Sequence, residues 1–382
     1  MKVLFLLHTT KLDGSSISFI NLAKGLSQAG NQIYFAYPDE VIDQSFLARV
    51  RPYVYGYYPV SYNLFWKKND NKYVKAFIKY SLKQIKDFYF LLELKKIVEQ
   101  IKPDLIHSNS GVIHIGYYLS QITHIPHVWH IREYVVKDFG WKIEPSYSSF
   151  VKKLDKSNVI TISDDLLIYF KQKNNSKAKR IYNGCLSKKE AKINNQKRNF
   201  FLICSRVSKE KGHEEVIRAF SEFIISSPGY RLLIAGAGEE NYINYLKDLA
   251  KSLGCYHAID FLGFIADVKP LMLNAKALIV GSIFEGFGRM TAEAYMCGCP
   301  VIGRNTGGTK EILEKTGGLV FSNYDQLVQT MRFIVEMSDI EYEEMIQNGY
   351  KVAVEKFSIE TNTANVISYY KRILDNSKNE NQ

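Results

Sequence analysis

One stretch limits the fold more than any other. The apolar run at residues 277–280 leads directly into Gly281-Ser-Ile-Phe-Glu-Gly-Phe-Gly288, and Arg289-Met-Thr-Ala-Glu293 follows with helical character. A short apolar run that meets a glycine turn and then a helix start is the strand–turn–helix unit of a buried parallel sheet. Gly286 and Gly288 free the backbone to pass close to a ligand, and the first helical N–H groups then point at whatever binds there. That geometry suits an anionic phosphate. Glu293 falls about one turn into the helix, where its carboxylate can accept hydrogen bonds from sugar hydroxyls, and Glu285 stands at the mouth of the turn. A molecule carrying a sugar at each end of a diphosphate matches such a site.

The same alternation of β-like runs and helical periodicity extends along the whole chain, the pattern of an α/β protein with parallel sheets. Strands are expected at residues 3–7, 32–36, 105–107, 127–130 and 159–162, and again at 200–204, 231–235, 259–261, 277–280, 300–302 and 318–321. A length of 382 residues favours two domains, and a hydrophobic content of 46% supplies two cores, with disorder expected only in the tail 376–382. Residues 187–198, rich in Lys and Asn, read as a linker between domains at 1–186 and 199–358. The opening run Met1-Lys-Val-Leu-Phe-Leu-Leu7 meets His8 and Lys11 too soon for a signal-peptide core and reads as a first strand. No uninterrupted apolar stretch approaches membrane-spanning length. All five cysteines lie at or after Cys185 and make no paired framework, which fits a reducing cytoplasm. Cys297-Gly-Cys299 has no Cys or His partners at ligand spacing and reads as buried small residues.

The net charge of +11 is unevenly placed. Residues 1–182 hold 26 Lys and Arg against 15 Asp and Glu, whereas residues 183–382 hold 24 against 24. The excess positive charge therefore lies entirely in the first half and points at that half's partner. Within it, Phe65-Trp-Lys-Lys precedes an amphipathic segment in which Val74, Phe77, Ile78, Ile85, Phe88, Tyr89 and Leu92 form an apolar stripe among Lys67, Lys68, Lys72, Lys75, Lys79, Lys83 and Lys86. Two readings stand for residues 65–92: adsorption to an anionic membrane surface, or a core-packing helix with a solvated Lys face. No nucleic-acid module accompanies the patch, so nucleic acid is not an expected partner.

Glu285 and Glu293 with their interior resemble the E-x7-E motif of retaining family-4 glycosyltransferases of GT-B architecture, and Gly298-Cys-Pro-Val-Ile302 follows as it does in that family. Ser205-Arg-Val-Ser-Lys-Glu-Lys-Gly212 resembles its R-x-x-x-x-K-G phosphate-binding segment. Leu233-Ile-Ala-Gly-Ala-Gly238 and Asn305-Thr-Gly-Gly-Thr-Lys-Glu311 resemble its other nucleotide-domain turns. In the first half, Gly14-Ser-Ser with Asn21-Leu-Ala-Lys-Gly-Leu26, then Ile160-Thr-Ile-Ser163 and Tyr182-Asn-Gly184, complete the likeness. The resemblance implies two Rossmann-like, doubly wound parallel-sheet domains facing a central cleft, with a last helix at about 359–375 crossing back onto the first. It implies an enzyme that moves a hexose-type sugar, with retention, from a nucleotide-diphosphate sugar to a glycan acceptor. The basic first half suggests a lipid-linked acceptor at the inner membrane face, as in bacterial surface polysaccharide assembly.

Breaking an anomeric C–O bond leaves negative charge on the departing phosphate, and preorganised cations or N–H donors stabilise it. The sequence has no Asp-x-Asp metal pair, whereas Arg206 and Lys211 offer two positive charges beside Gly212, so no cofactor or metal is expected. By resemblance Glu285 contacts donor-sugar hydroxyls, Glu293 the ribose, and Gly286, Phe287 and Gly288 give backbone donors. His130 matches a histidine lining the donor-sugar pocket, Gly238 belongs to the nucleotide-domain turn, and Gly14 and Ser15 approach the diphosphate from the first domain. Arg289 replaces a more usual aliphatic residue, with a role either toward the donor or as partner to a neighbouring acid. Glu285 and Glu293 are also compatible with the acid/base pair of a glycoside hydrolase; the glycine turn between them and the Arg206/Lys211 pair favour nucleotide-sugar binding. A non-catalytic glycan-binding subunit and a GT-B epimerase or phosphorylase are the alternatives.

Overall fold

The computed structural model describes residues 1–39, 41–67 and 73–380, the side chains of residues 73–79, 139 and 378–380 excepted. Two compact units emerge, Met1–Gly184 with Ile359–Gln382, and Cys185–Ser358.

The first unit contains β1 (Lys2–Leu6), β2 (Gln32–Tyr37), β3 (Gly56–Pro59), β4 (Trp66–Lys67), β5 (Leu105–Ser108), β6 (His127–Ile131), β7 (Lys142–Ile143), β8 (Asn158–Thr161) and β9 (Ala178–Arg180). Seven of these form one parallel sheet in the order β3-β2-β1-β5-β6-β8-β9, while β4 and β7 pair antiparallel on their own. Strand order reverses between β1 and β5, where Leu4 pairs with Tyr34 on one side and Ile106 on the other. Ligands of doubly wound sheets bind at the carboxyl ends of the strands flanking such a reversal. The central strands are buried on both faces, which is why they read as unbroken runs. Strands β5 and β6 nevertheless carry His107, Ser108, His127 and His130 into that buried layer.

Phe5, Phe19, Phe35 and Phe46 make the centre of one core layer, and Val366, Tyr369, Tyr370 and Ile373 of the helix Ile359–Glu380 complete it. Burying each such aromatic stabilises the fold by about 1.5–3 kcal/mol. This helix continues past residue 375 to Glu380, into the tail where disorder was expected.

The second unit is built on β10 (Arg198–Cys204), β11 (Arg231–Ala235), β12 (Ile259–Gly263), β13 (Ala275–Val280), β14 (Val301–Arg304) and β15 (Leu319–Phe321). They run parallel in the order β12-β11-β10-β13-β14-β15, with the reversal between β10 and β13. Residues 187–198, read from composition as a linker, are part of this unit: Ala191 is buried, the Lys192 N–H donates to the Met296 carbonyl, and Lys197 Nζ donates to the Leu273 carbonyl. Polar side chains that find carbonyl partners look like linker in composition alone.

Part of the 65–92 segment, including Lys68 and Lys72 and the side chains of Val74, Lys75, Phe77, Ile78 and Lys79, lies outside the described residues. In the remainder of the helix Tyr73–Ile101, Leu82, Ile85, Phe88, Tyr89 and Leu92 are exposed. Lys83 turns inward instead, ion-paired with Glu144 and donating to the Leu64 carbonyl, and buried Asp87 accepts the Asn63 N–H at 2.9 Å. The core-packing reading therefore fails for Ile85, Phe88, Tyr89 and Leu92, while the helix packs through Asp87 and then through buried Leu94, Ile97, Val98 and Ile101. No described helix is long and apolar enough to cross a membrane.

Candidate functional site

Four loops meet at the carboxyl edge of the second sheet. The loop after β10 (Ser205 to Gly212) and the loop after β13 (Gly281 to Gly288) flank the reversal, and the Ile283 N–H donates to the Glu210 carbonyl at 3.0 Å to tie them together. A methyl group on Gly212 would collide with the Gly281 carbonyl, and Gly212 has φ 73°, so only glycine allows this approach. Gly308, in the first turn of the helix Gly307–Thr316 that follows the loop after β14, donates its N–H to the Glu285 carbonyl at 2.8 Å. Gly238, after β11, lies against Val207, to which it is bridged in register.

On this frame the Lys211 ammonium stands 2.7 Å from the Glu285 carboxylate, both partly shielded from solvent. Arg206 pairs with Glu210 at 2.6 Å on the surface. Gly288, at φ 85°, caps the helix Arg289–Met296, whose Glu293 is buried and paired with Arg289 at 2.8 Å. Burial lifts the Glu293 carboxyl above its ordinary value, with the Arg289 guanidinium the strongest opposing influence. Arg289 is thus partner to a neighbouring acid, and its Nη1 is buried without a hydrogen-bond partner. Phe287 is buried with its ring 5.7 Å from that of Phe357.

In the first unit, Gly14 opens the helix Gly14–Gln28 and Asp13 caps it, accepting the Ser15 and Ser16 N–H groups. The Ser15 amide, expected to approach a diphosphate, is therefore already donated to a carboxylate. His8 lies 3.6 Å from Asp13. His130, at the end of β6, is fully buried, with Nδ1 facing His107 and Arg132.

Two family models divide the chain between them: Glycosyltransferase Family 4 matches residues 12–185, and Glycosyl transferases group 1 matches residues 187–352. An uncharacterized glycosyltransferase of Methanocaldococcus jannaschii is 29% identical across 72% of this chain and 76% of its own. The chain belongs to the group 1, family-4 glycosyltransferases. Anabaena HepE, solved in complex with UDP, is similar in fold with a TM-score of 0.80 at 20% identity, covering 97% of this chain and 100% of that one. A GDP-mannose-dependent monoacylated alpha-(1-6)-phosphatidylinositol monomannoside mannosyltransferase of Corynebacterium glutamicum is 30% identical over 35% of this chain and 36% of that protein. The fold is that of the GT-B neighbours, two Rossmann-like parallel-sheet domains.

Several residues around the glycosyltransferase's expected site escape a reading by motif. Glu133 Oε1 accepts the Gly111 N–H at 3.0 Å, with its carboxyl raised by burial. Tyr370 and His107 connect to His130 across long separations in sequence. For His107 the only signal in the sequence is a polar residue inside an otherwise apolar strand; Tyr370 lies on a helix and Glu133 beyond the end of β6. Among the described residues no three His, Cys, Asp or Glu side chains converge as metal ligands, and Cys297 and Cys299 are buried, free thiols.

Proposed function

We propose that this glycosyltransferase moves a hexose-type sugar, with retention of configuration, from a nucleotide-diphosphate donor to a glycan acceptor carried on a lipid, in surface polysaccharide assembly. The Lys211–Glu285 pair at the strand-order reversal carries the reading. Lys211 places a cation where a leaving diphosphate gathers charge, and Glu285 holds that cation in place while its second oxygen accepts a sugar hydroxyl. Arg206, released from its surface contact with Glu210, adds a second charge. Glu293 accepts ribose hydroxyls, and Gly286, Phe287 and Gly288 present backbone donors. With two side-chain cations in these roles, the transfer proceeds without a metal.

Named relatives support the donor and acceptor classes: HepE was solved with UDP, and the Corynebacterium enzyme is named for GDP-mannose and a phosphatidylinositol mannoside. The exposed apolar stripe Leu82, Ile85, Phe88, Tyr89 and Leu92, with Lys86 exposed beside it, supports peripheral attachment to an anionic membrane on its cytoplasmic face.

Donor hydrolysis or transfer, followed with and without a chelator and with Arg206→Ala and Glu285→Ala as controls, tests the proposal. Chelator-insensitive turnover that falls in both variants is expected. Turnover unchanged in both would remove the site assignment, and a strict requirement for Mg2+ or Mn2+ would remove the metal-free step.

A further inference from the structure

A chain of buried hydrogen bonds runs through the core of the first unit to His130. Tyr370, on the helix Ile359–Glu380, places its hydroxyl 2.6 Å from His107 Nδ1. His107 Nε2 lies 3.1 Å from His130 Nδ1, and Arg132 Nη2 lies 3.3 Å from that same nitrogen. Tyr370, His107 and His130 are all fully buried.

The direction of the chain follows from its arginine. A guanidinium only donates, so His130 Nδ1 must be bare. Its ring proton then sits on Nε2. His107 donates to the same bare nitrogen through its own Nε2–H, which leaves His107 Nδ1 bare in turn. That last acceptor takes the Tyr370 hydroxyl proton, and the chain closes with every facing atom satisfied. Arg132 is itself held on both sides, Nε donating to Asn109 Oδ1 at 3.0 Å and Nη1 to Asn183 Oδ1 at 2.6 Å. Of the four ring nitrogens of His107 and His130, Nε2 of His130 is the one buried with no partner.

We propose that Arg132 and Tyr370 act as positioning residues that hold His130 in a single Nε2–H tautomer, poised to donate to an oxygen of the bound sugar donor. The proposal rests on the reading that His130 serves sugar transfer. A protonated imidazolium is excluded by the same contacts, since a proton on Nδ1 would face both the guanidinium and the His107 N–H. Burial, Arg132 and His107 all push His130 toward its uncharged form, in agreement with the geometry. The helix Ile359–Glu380, far in sequence from either strand, would thereby set the hydrogen-bonding character of a site residue.

Long-range proton–nitrogen correlation spectra of 15N-histidine protein identify which nitrogen of His130 carries hydrogen, with His130→Ala used for assignment. The wild type is expected to show Nε2–H only. Tyr370→Phe strands His107 Nδ1 in the core and frees His107 to turn a bare Nε2 toward His130 Nδ1 in competition with Arg132, so His130 is expected to show mixed tautomers, with kcat lowered about tenfold and the donor KM within about twofold. Adding His107→Gln to Tyr370→Phe restores an N–H donor toward His130 Nδ1 without needing the tyrosine, so the double variant is expected to recover most of the lost kcat. Unchanged tautomer and kcat in Tyr370→Phe, or a double variant slower than the single one, would overturn the proposal. Full turnover in His130→Ala together with a disturbed tautomer in Tyr370→Phe would also overturn it, and would locate the failure in the role given to His130 rather than in the hydrogen-bond chain. If Tyr370→Phe does not fold, His107→Gln against His107→Leu reads the same question, because only Gln keeps a donor; equal kcat in the two would overturn the proposal.

Discussion

The Lys211 ammonium rests 2.7 Å from the Glu285 carboxylate, joining the loop after β10 to the loop after β13 across the point where strand order reverses. Each partner holds the other where a diphosphate sugar would need both. Replacing Lys211 with Met removes the charge yet keeps the aliphatic stem. Loss of one such preorganised group is expected to lower kcat by about 10²–10³. Steady-state release of nucleotide, measured for Lys211→Met and Glu285→Gln, checks this, and the two effects together should fall short of their product because the residues act as a unit.

Arg289 and Glu293 give a prediction for stability rather than rate. The Arg289→Met variant leaves a buried carboxyl with no paired cation, a change that costs about 3–5 kcal/mol. Glu293 already has its carboxyl raised above 4.5 by burial. An acid whose folded value exceeds its unfolded value favours the folded state at low pH and loses that contribution as pH rises through the window between the two. The variant should therefore be less destabilised at pH 5 than at pH 8. Urea unfolding followed by far-UV circular dichroism at both pH values reads this directly.

The first unit should be the acid-labile one. His107, His114, His127 and His130 are all held below the ordinary value of 6.5, burial being the largest cause, with His127 at about 3. Between those lowered values and 6.5 the unfolded chain binds more protons than the folded one, so stability is full above 6.5 and falls as pH falls. Each histidine adds a slope of about 1.4 kcal/mol per pH unit within its window. His8 opposes them: burial lowers it, but Asp13 and Glu133 outweigh that and raise it, so its contribution is present at low pH and lost as pH rises. The Glu133 and Asp87 carboxyls, raised by burial, act in the same sense as His8, and the four lowered histidines outweigh these three. All three tryptophans, Trp66, Trp129 and Trp141, lie in this unit. The urea midpoint by tryptophan fluorescence should accordingly drop between pH 7.5 and 5.5, and a flat or rising midpoint would contradict the assignment of neutral buried rings.

Much of the sheet architecture could be read from the chain because its central strands are apolar on both faces. All six strands of the second unit fall where short apolar runs lie, and Arg231–Ala235 agrees to the residue. The strands that escaped notice are the two-residue pair β4 and β7, and β3 and β9 at the edges of the first sheet. With one neighbour each and half-exposed side chains, Gly56–Pro59 and Ala178–Arg180 carry little apolar signal. The glycines of the candidate site were legible as turns, but their reason was only partly so: Gly212 is required by the close approach of Gly281, with no ligand involved. Periodicity likewise marks an amphipathic segment at 73–92 without saying which residues meet the core: Lys83 and Asp87 turn inward, whereas Ile85, Phe88, Tyr89 and Leu92 stay exposed. The hydrogen bonds around His130 join residues on β5, β6 and the last helix, a relation that exists only after folding.

The exposed stripe on that helix predicts membrane adsorption. Sedimentation with vesicles rich in anionic lipid should carry the wild-type protein down, and more weakly as salt is raised. Ile85→Glu with Phe88→Glu removes apolar contact and adds repulsion, so at least a tenfold loss in partitioning is expected. Equal sedimentation of the variant, or equal binding to uncharged vesicles, would count against the surface.

Calorimetric titration of UDP, GDP and their hexose-linked forms into the wild type and Lys211→Met, without added metal and with a chelator present, tests the central claim most directly. Saturable binding of at least one nucleotide is expected in the wild type, weakened tenfold or more in Lys211→Met, in line with the loss of about 1.4 kcal/mol or more from one charged contact. Binding of equal strength in both proteins, or binding that appears only when a divalent cation is supplied, would contradict it.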